Sequence, residues 1–324
     1  MISSWWNWMA AMTVQVVVVV IVVAILERFL VRRAQPRLAA ALWLVALAKF
    51  ALPPTWESPV GLGVDLTPSP SGVAAVAFWT WLAGAAACAT LAFRRHARLR
   101  RELLTDSIDA PLEVARVARD AARRLGLRCV PSLRVLPGLA VPCVVGFFRP
   151  VVLVPDGPAS EHALMHEIAH VRRRDPLASL AALAVQVVYW FHPAAWLIRS
   201  RLATLREVGC DAAVARALGD RAPEYRGTLL ECARALLRSP VTGATSPLLG
   251  RGRLVERLEW LSRGSQSRSA VARFLAPIAA GLVLAACVPL ARSAPPPFAW
   301  PTLDQAQGCL QRRFIVLEAL SHDP

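Results

Sequence analysis

Apolar positions in the first third of the chain form long uncharged runs, and the middle of the chain breaks into shorter periodic segments. Met9 to Leu26 carries no charge and passes through a valine-isoleucine block; extended back to Trp5 it is 22 residues, enough to cross a hydrocarbon core of roughly 30 Å as a helix. A signal peptide needs a basic start and a small-residue cleavage site, and nothing basic precedes Arg28, so the run reads as an anchor with Trp5, Trp6 and Trp8 in the interfacial belt. Leu38 to Leu52 is bracketed by Pro36 and by Pro53-Pro54 and reads as a second span, in which Lys49 lies near the end and can snorkel. Pro53 to Gly72 is rich in proline, serine and glycine and reads as a loop. Gly72 to Phe93 is a third span, and Val271 to Leu290 a fourth, in which Pro277 is tolerable.

Between the third and fourth spans the periodicity changes. Asp109 to Leu125 has helical spacing and stops at Gly126. Val141 to Pro155 reads as two β runs broken at Gly146, and Gly157-Pro158 turns the chain. Ser160 is placed to cap a helix that holds Glu161 to His170, and Leu202 to Leu218 is strongly helical.

Composition fits this picture. Hydrophobic residues make up 56% and charged ones 18% of 324 residues, with a mean hydropathy of +0.45; this argues against an ordinary soluble protein and against disorder. Seven scattered cysteines without a C-x-x-C pair exclude a disulfide scaffold. The net charge of +15 is almost all arginine, and its placement matters more than its size. Arg28, Arg32, Arg33 and Arg37 follow the first span, Arg94, Arg95, Arg98, Arg100 and Arg101 follow the third, and the loop before it holds only Glu57 and Asp65. From Arg94 to Arg273 there are 29 basic and 16 acidic residues. The positive-inside rule then puts both termini outside and the large segment in the cytoplasm, where unpaired cysteines are at home. The arginines are explained by topology and attraction to anionic lipid, and no nucleic-acid-binding signature is present. The fold expected is a mainly α integral membrane protein with three transmembrane helices in 1–94, a cytoplasmic α+β domain over 95–270, a fourth transmembrane helix at 271–290 and a short outside tail at 291–324.

The chemistry-bearing signal is HEIAH, His166 to His170. Two imidazoles at i and i+4 project from one helix face and can bind a single Zn²⁺, while Glu167 on the flank can take a proton from the attacking water and return it to a leaving amine. Zinc needs a third protein ligand. Glu207 and Asp211 are again at i, i+4 on one helix; one carboxylate can reach the metal while the other fixes the tautomer of a ligand histidine. Pro176 to Ile198 is uncharged apart from His192 and long enough to span. A single crossing would carry Glu207 roughly 30 Å from the histidines, so this segment is expected not to cross: it is either buried in the protease domain or re-entrant, with His192-Pro193 as the candidate bend.

Four stretches together resemble the BlaR/MecR-type membrane zinc metallopeptidases, bacterial antirepressors of the gluzincin group. They are GFFRPVVLVP (Gly146 to Pro155), HEIAH running into VRRRD (Val171 to Asp175), WFHPAAW (Trp190 to Trp196) and REVGCDAAV (Arg206 to Val214). The resemblance implies a gluzincin-type metalloprotease domain with His166, His170 and Glu207 as zinc ligands, Glu167 as general base and Asp211 behind the ligands. It also implies a substrate-aligning strand around Gly146, Pro150 and Pro155, one Zn²⁺ per chain, and a cytoplasmic protein substrate, a transcriptional repressor. Sensor members continue beyond the fourth span into a penicillin-binding domain, whereas here about 34 residues follow it, below the roughly 40 that usually fold unaided.

Weaker signals remain. His162 lies one turn before His166 and competes as a ligand; His192, Tyr189 and Tyr225 are candidates to stabilise an oxyanion, with a structural turn histidine the plainer reading of His192. Leu284 to Cys287 mimics a lipid-attachment box inside the fourth span, and chance explains it. The functions in contention are a regulatory metalloendopeptidase, a membrane quality-control gluzincin, and a transducer with a structural metal site.

Overall fold

The structure is a computed structural model that describes residues 2–28, 36–52, 71–157, 160–238, 251–262 and 281. The fourth span expected at 271–290, apart from residue 281, the tail at 291–324 and most of the loop after the second span lie outside the described residues.

Helix α1, Ile2–Leu26, is apolar all round. Met12, Val16, Val19 and Val23 recur at helical spacing on a buried face, while Val17, Ile21 (53% exposed) and Ile25 (51%) line the opposite one. An apolar face with none of the described residues packed over it is what a lipid-facing helix presents. Helix α2, Pro36–Lys49, opens on a proline suited to a helix start and buries Ala39, Leu42, Trp43 and Ala46. Its 14 residues rise only about 21 Å, less than a hydrocarbon core. Among the described residues, Trp5–Leu26 and Gly72–Thr105 are the helices long and apolar enough to cross a membrane.

Helix α3, Ser71–Thr105, runs 35 residues without a break, well past the expected end at Phe93. Leu, Ala, Arg and Glu all favour helix, no glycine or proline interrupts them after Gly84, and Arg98 bonds Glu102 one turn on at 2.7 Å. The boundary expected at 94/95 therefore falls inside a continuous helix, whose Leu103 and Leu104 pack on the sheet that follows.

That sheet has four strands: β1 (Ile108–Asp109), β2 (Ser132–Leu136), β3 (Cys143–Val145) and β4 (Val151–Pro155). Their spatial order is β1-β2-β4-β3; β2 and β4 are parallel, and the two outer strands run antiparallel to their neighbours. Val152, Leu153 and Val154 are fully buried, as expected of a central strand covered on both faces. Helix α4, Leu112–Arg124, starts after Pro111 rather than at Asp109, which is drawn into β1, and Gly126 at φ 70° turns the chain out of it.

Helix α5, Glu161–Arg172, is capped by Ser160, whose Oγ accepts from Ala163 N at 3.4 Å. Leu164, Met165, Ile168 and Ala169 pack it against α4, β2 and β4. After a turn through Arg173 and Arg174, helix α6, Asp175–Val188, runs to Tyr189, and helix α7, Pro193–Leu218, begins after His192. His192 Nδ1 accepts from Ala194 N at 3.1 Å, and Pro193 supplies the first helical position, so the bend is a capped helix start. The apolar run of Pro176 to Ile198 thus folds back as a hairpin of packed helices. Its tip is buried with α1 and α2 through Tyr189, Ala194, Ala195 and Ile198. Helix α8 (Ala222–Arg238) packs on α5 and α7, and helix α9 (Arg251–Ser262) on α7.

The hairpin carries a direct expectation. Cysteines introduced at Arg172 and Arg206, on either side of it, should react with a membrane-impermeant thiol reagent from the same side of intact vesicles. Opposite-side labelling would separate the two halves of the site described next.

Candidate metal centre

Helix α5 and the C-terminal half of α7 cross with His166, His170 and Glu207 facing one another. His166 Nε2 lies 3.3 Å from Glu207 Oε2 and His170 Nε2 3.6 Å from Glu207 Oε1. Donors about 2.0–2.2 Å from a tetrahedral Zn²⁺ stand roughly 3.3–3.6 Å apart. The three residues therefore fit a single zinc ion.

What lies behind each donor strengthens the fit. Tyr225 donates its hydroxyl hydrogen to Asp211 Oδ1 at 2.6 Å. His166 Nδ1 is left as a donor, 2.8 Å from the Tyr225 oxygen and 3.1 Å from Asp211 Oδ1. His170 Nδ1 donates to Asp175 Oδ2 at 2.8 Å, and Cys210 Sγ reaches the same carboxylate at 3.2 Å. Each imidazole thus has its far nitrogen held by a carboxylate and its Nε2 turned to the common point, the arrangement that orients a metal-ligating histidine. Arg257, from α9, has a two-pronged grip on Asp211 at 2.7 and 2.8 Å, and the same guanidinium stands against the donors, 3.6 Å from Glu207 Oε2 and 3.5 Å from His166 Nε2.

The electrostatics follow from burial and these pairings. Burial disfavours the charged form of His166, yet its hydrogen bonds with Asp211 and Glu207 outweigh this and push the imidazole up to about 10. A metal entering here displaces that proton. Burial raises the Glu207 carboxyl, but the His170, His166 and Arg257 charges hold it well below the usual range. Asp211 is likewise held down, to about 2, because its bonds with Arg257 and His166 overcome burial. Glu167 differs: burial raises its carboxyl, and the nearby histidines offset this only in part. A raised carboxyl suits a general base working near neutral pH.

The weaker candidates stand elsewhere. His162 turns to Thr228 Oγ1 at 3.1 Å and is absent from the donor cluster. His192 is the cap of α7, and Tyr189 donates to Phe50 O at 3.1 Å among the apolar helices. Tyr225 is at the site, but its hydroxyl is committed to Asp211. The residues expected in a substrate-aligning strand divide between a turn and a strand end. Gly146 (φ 98°) and Pro150 belong to the turn between β3 and β4, and Pro155 ends β4, a strand already hydrogen-bonded to β2 and β3. Among the described residues the sheet's edge strands are β1 and β3, and of these β3, Cys143–Val145, packs against α5. The Glu167 charge is felt there: burial first and Glu167 second push the Cys143 thiol up to about 12.

Sequence reasoning missed two groups. Asp175 was visible in VRRRD, as an acid five residues beyond His170, but had no role assigned to it. Arg257 has no spacing signal, since it reaches Asp211 from 46 residues away.

The family model of the BlaR1 peptidase M56 matches residues 66–261, more than half of the chain and all of this site. The chain belongs to the BlaR1 peptidase M56 family. Membership places it among membrane metallopeptidases. It is also similar to the regulatory protein BlaR1 of Bacillus licheniformis, with 31% identity over 88 residues. That stretch is 25% of this chain and 15% of that protein.

Proposed function

We propose that the chain is a zinc metalloendopeptidase of regulatory duty, anchored in a bacterial inner membrane, that cleaves a cytoplasmic protein, a transcriptional repressor. The observation that carries the reading is the convergence of three donors on one point, with their far atoms held in place, beside a glutamate whose carboxyl is raised. The regulatory duty is supported by likeness to a regulatory protein, and the cytoplasmic side by the arginines of the last turns of α3, Arg94 to Arg101.

His166, His170 and Glu207 hold the metal. Bound there, Zn²⁺ supplies Lewis acidity toward a peptide carbonyl. Glu167 takes a proton from the attacking water and gives it to the departing amine. An extended substrate backbone pairs with the edge strand β3, which brings its peptide bond over α5. Asp211, Tyr225 and Asp175 keep the histidines in one tautomer through the cycle.

Because the base acts deprotonated and burial raises its carboxyl, kcat/KM is expected to climb with pH along an acid limb centred above 4.5. A limb at or below that value would contradict the assignment of Glu167. The biological reading is tested by comparing new protein N-termini in cells carrying wild type or Glu167→Gln. A short set headed by a DNA-binding repressor supports it. A broad set of damaged or membrane proteins would replace regulation with quality control.

A further inference from the structure

Between α2, the Arg95 region of α3, and the α6–α7 hairpin lies a cavity of about 430 Å³, inside the roughly 300–1,000 Å³ range of small-molecule sites. Four arginines line it, Arg95, Arg173, Arg199 and Arg206, against a single acid, Asp175. Asp175 is already engaged by Arg173 at 3.3 Å and by His170. Arg199 bonds the Gln186 amide oxygen and Arg206 the Ser179 hydroxyl. Among the described residues none of Arg95, Arg199 and Arg206 is paired with a carboxylate. Burial, followed by the like charges of Arg206 and Arg95, lowers the proton affinity of Arg199. Three guanidinium groups facing one cavity without a counter-charge repel one another, and an anion relieves that repulsion.

The cavity's height along the helices tells which anion. Phe93 (73% exposed), Leu44 and Trp196 (53%) are apolar and uncovered, and each lies within a few residues of an arginine or on the cavity wall itself. On α3 the change from exposed apolar to basic falls between Phe93 and Arg94; on α7 it falls between Leu197 and Arg199. This is the level at which a bilayer's hydrocarbon gives way to its headgroups.

We propose that this cavity binds a phosphate group, supplied by the headgroup of an anionic phospholipid whose acyl chains lie along Leu44 and Trp196. The inference rests on reading α1 and α3 as membrane-crossing, and not on proteolysis. Guanidinium forks match phosphate oxygens in pairs. The cavity's inner wall, Asp175, is the carboxylate that holds His170, so the lipid lies directly behind a metal-site residue.

The test is binding to the full chain in detergent micelles, followed by thermal shift and by lipid retention in native mass spectrometry. Phosphatidylglycerol should stabilise the protein and stay bound, and phosphatidylcholine should not. Arg95→Gln, Arg199→Gln and Arg206→Gln should each weaken phosphatidylglycerol binding about fivefold, and all three together about 100-fold. Arg116→Gln with Arg119→Gln, exposed on α4 away from the cavity, should leave it unchanged. The single variants carry the test if the triple one fails to fold. Equal binding of phosphatidylcholine, or phosphatidylglycerol binding that survives the three single changes or falls equally with the α4 pair, overturns the site. Millimolar inorganic phosphate that reproduces the shift and displaces the lipid overturns the headgroup as occupant. A loss of lipid binding would leave peptidase activity to be judged separately, since Glu167→Gln should bind lipid as wild type does.

Discussion

Glu167→Gln should retain zinc and lose about 10²- to 10⁴-fold in cleavage rate, the contribution of a positioned general base. The three donors are untouched by this change, and Glu167 lies on the flank of α5 beside them. Glu207→Gln should fail differently. Its carboxylate lies 3.3 Å from His166 Nε2 and 3.6 Å from His170 Nε2, so an amide in its place weakens the donor set itself, and metal content should fall with activity. Asp211→Asn should fall between the two, by about 10- to 100-fold in metal affinity or activity, because it acts through His166 and through Arg257. Metal content and cleavage are to be measured on each purified variant in detergent. Full metal in Glu207→Gln with loss in Asp211→Asn would make Asp211 the third ligand. Undiminished cleavage in Glu167→Gln would remove Glu167 as the general base, and a wild-type chain that binds metal but cleaves nothing would leave the transducer reading in place of proteolysis.

The parts of this site that could be read from sequence are those one helix encodes by itself. His166, Glu167 and His170 share a single α5 turn-pair, and Glu207 and Asp211 share one on α7. The bend at His192-Pro193 was legible because proline and a capping side chain act within two residues. The need for Glu207 to return to the histidines then implied that the segment does not cross; the packed hairpin itself came from the structure. What depends on pairing across the chain was not legible. Tyr225 and Arg257 meet Asp211 from α8 and α9, and no local rule gives that geometry. Strand order is of the same kind: a valine run is equally consistent with an edge or a centre, and β4 is central only because β2 and β3 flank it. Helix α3 outran its expected end because hydropathy marks where lipid stops, whereas helix propensity continues through Arg98 and Glu102.

A second large effect is expected at Arg201, which touches none of the metal-site residues. Its guanidinium grips Glu27, at the end of α1, at 2.5 to 3.0 Å, and Glu256, on α9, at 2.6 and 2.7 Å. Trp43 of α2 donates to the same Glu27 at 2.8 Å. One arginine on α7 therefore ties two membrane-side helices to α9, and the residue after Glu256 is Arg257, which holds Asp211. Arg201→Met removes the cation that these two poorly exposed carboxylates share. Breaking a fully buried pair from one side costs about 3–5 kcal/mol, and the partial exposure here brings the expectation to about 2 kcal/mol. The unfolding midpoint in detergent should fall, and zinc should be lost more readily, because α9 is freed to carry Arg257 away from Asp211. Adding Glu27→Gln and Glu256→Gln to Arg201→Met removes the two carboxylate charges that Arg201 bridged and should recover much of the stability. It should not recover metal retention, which depends on α9 being tied down. If the triple variant regains both, or if Arg201→Met alone keeps wild-type zinc retention, α9 is held by its packing on α7 and the Arg201 cluster does not reach the metal centre.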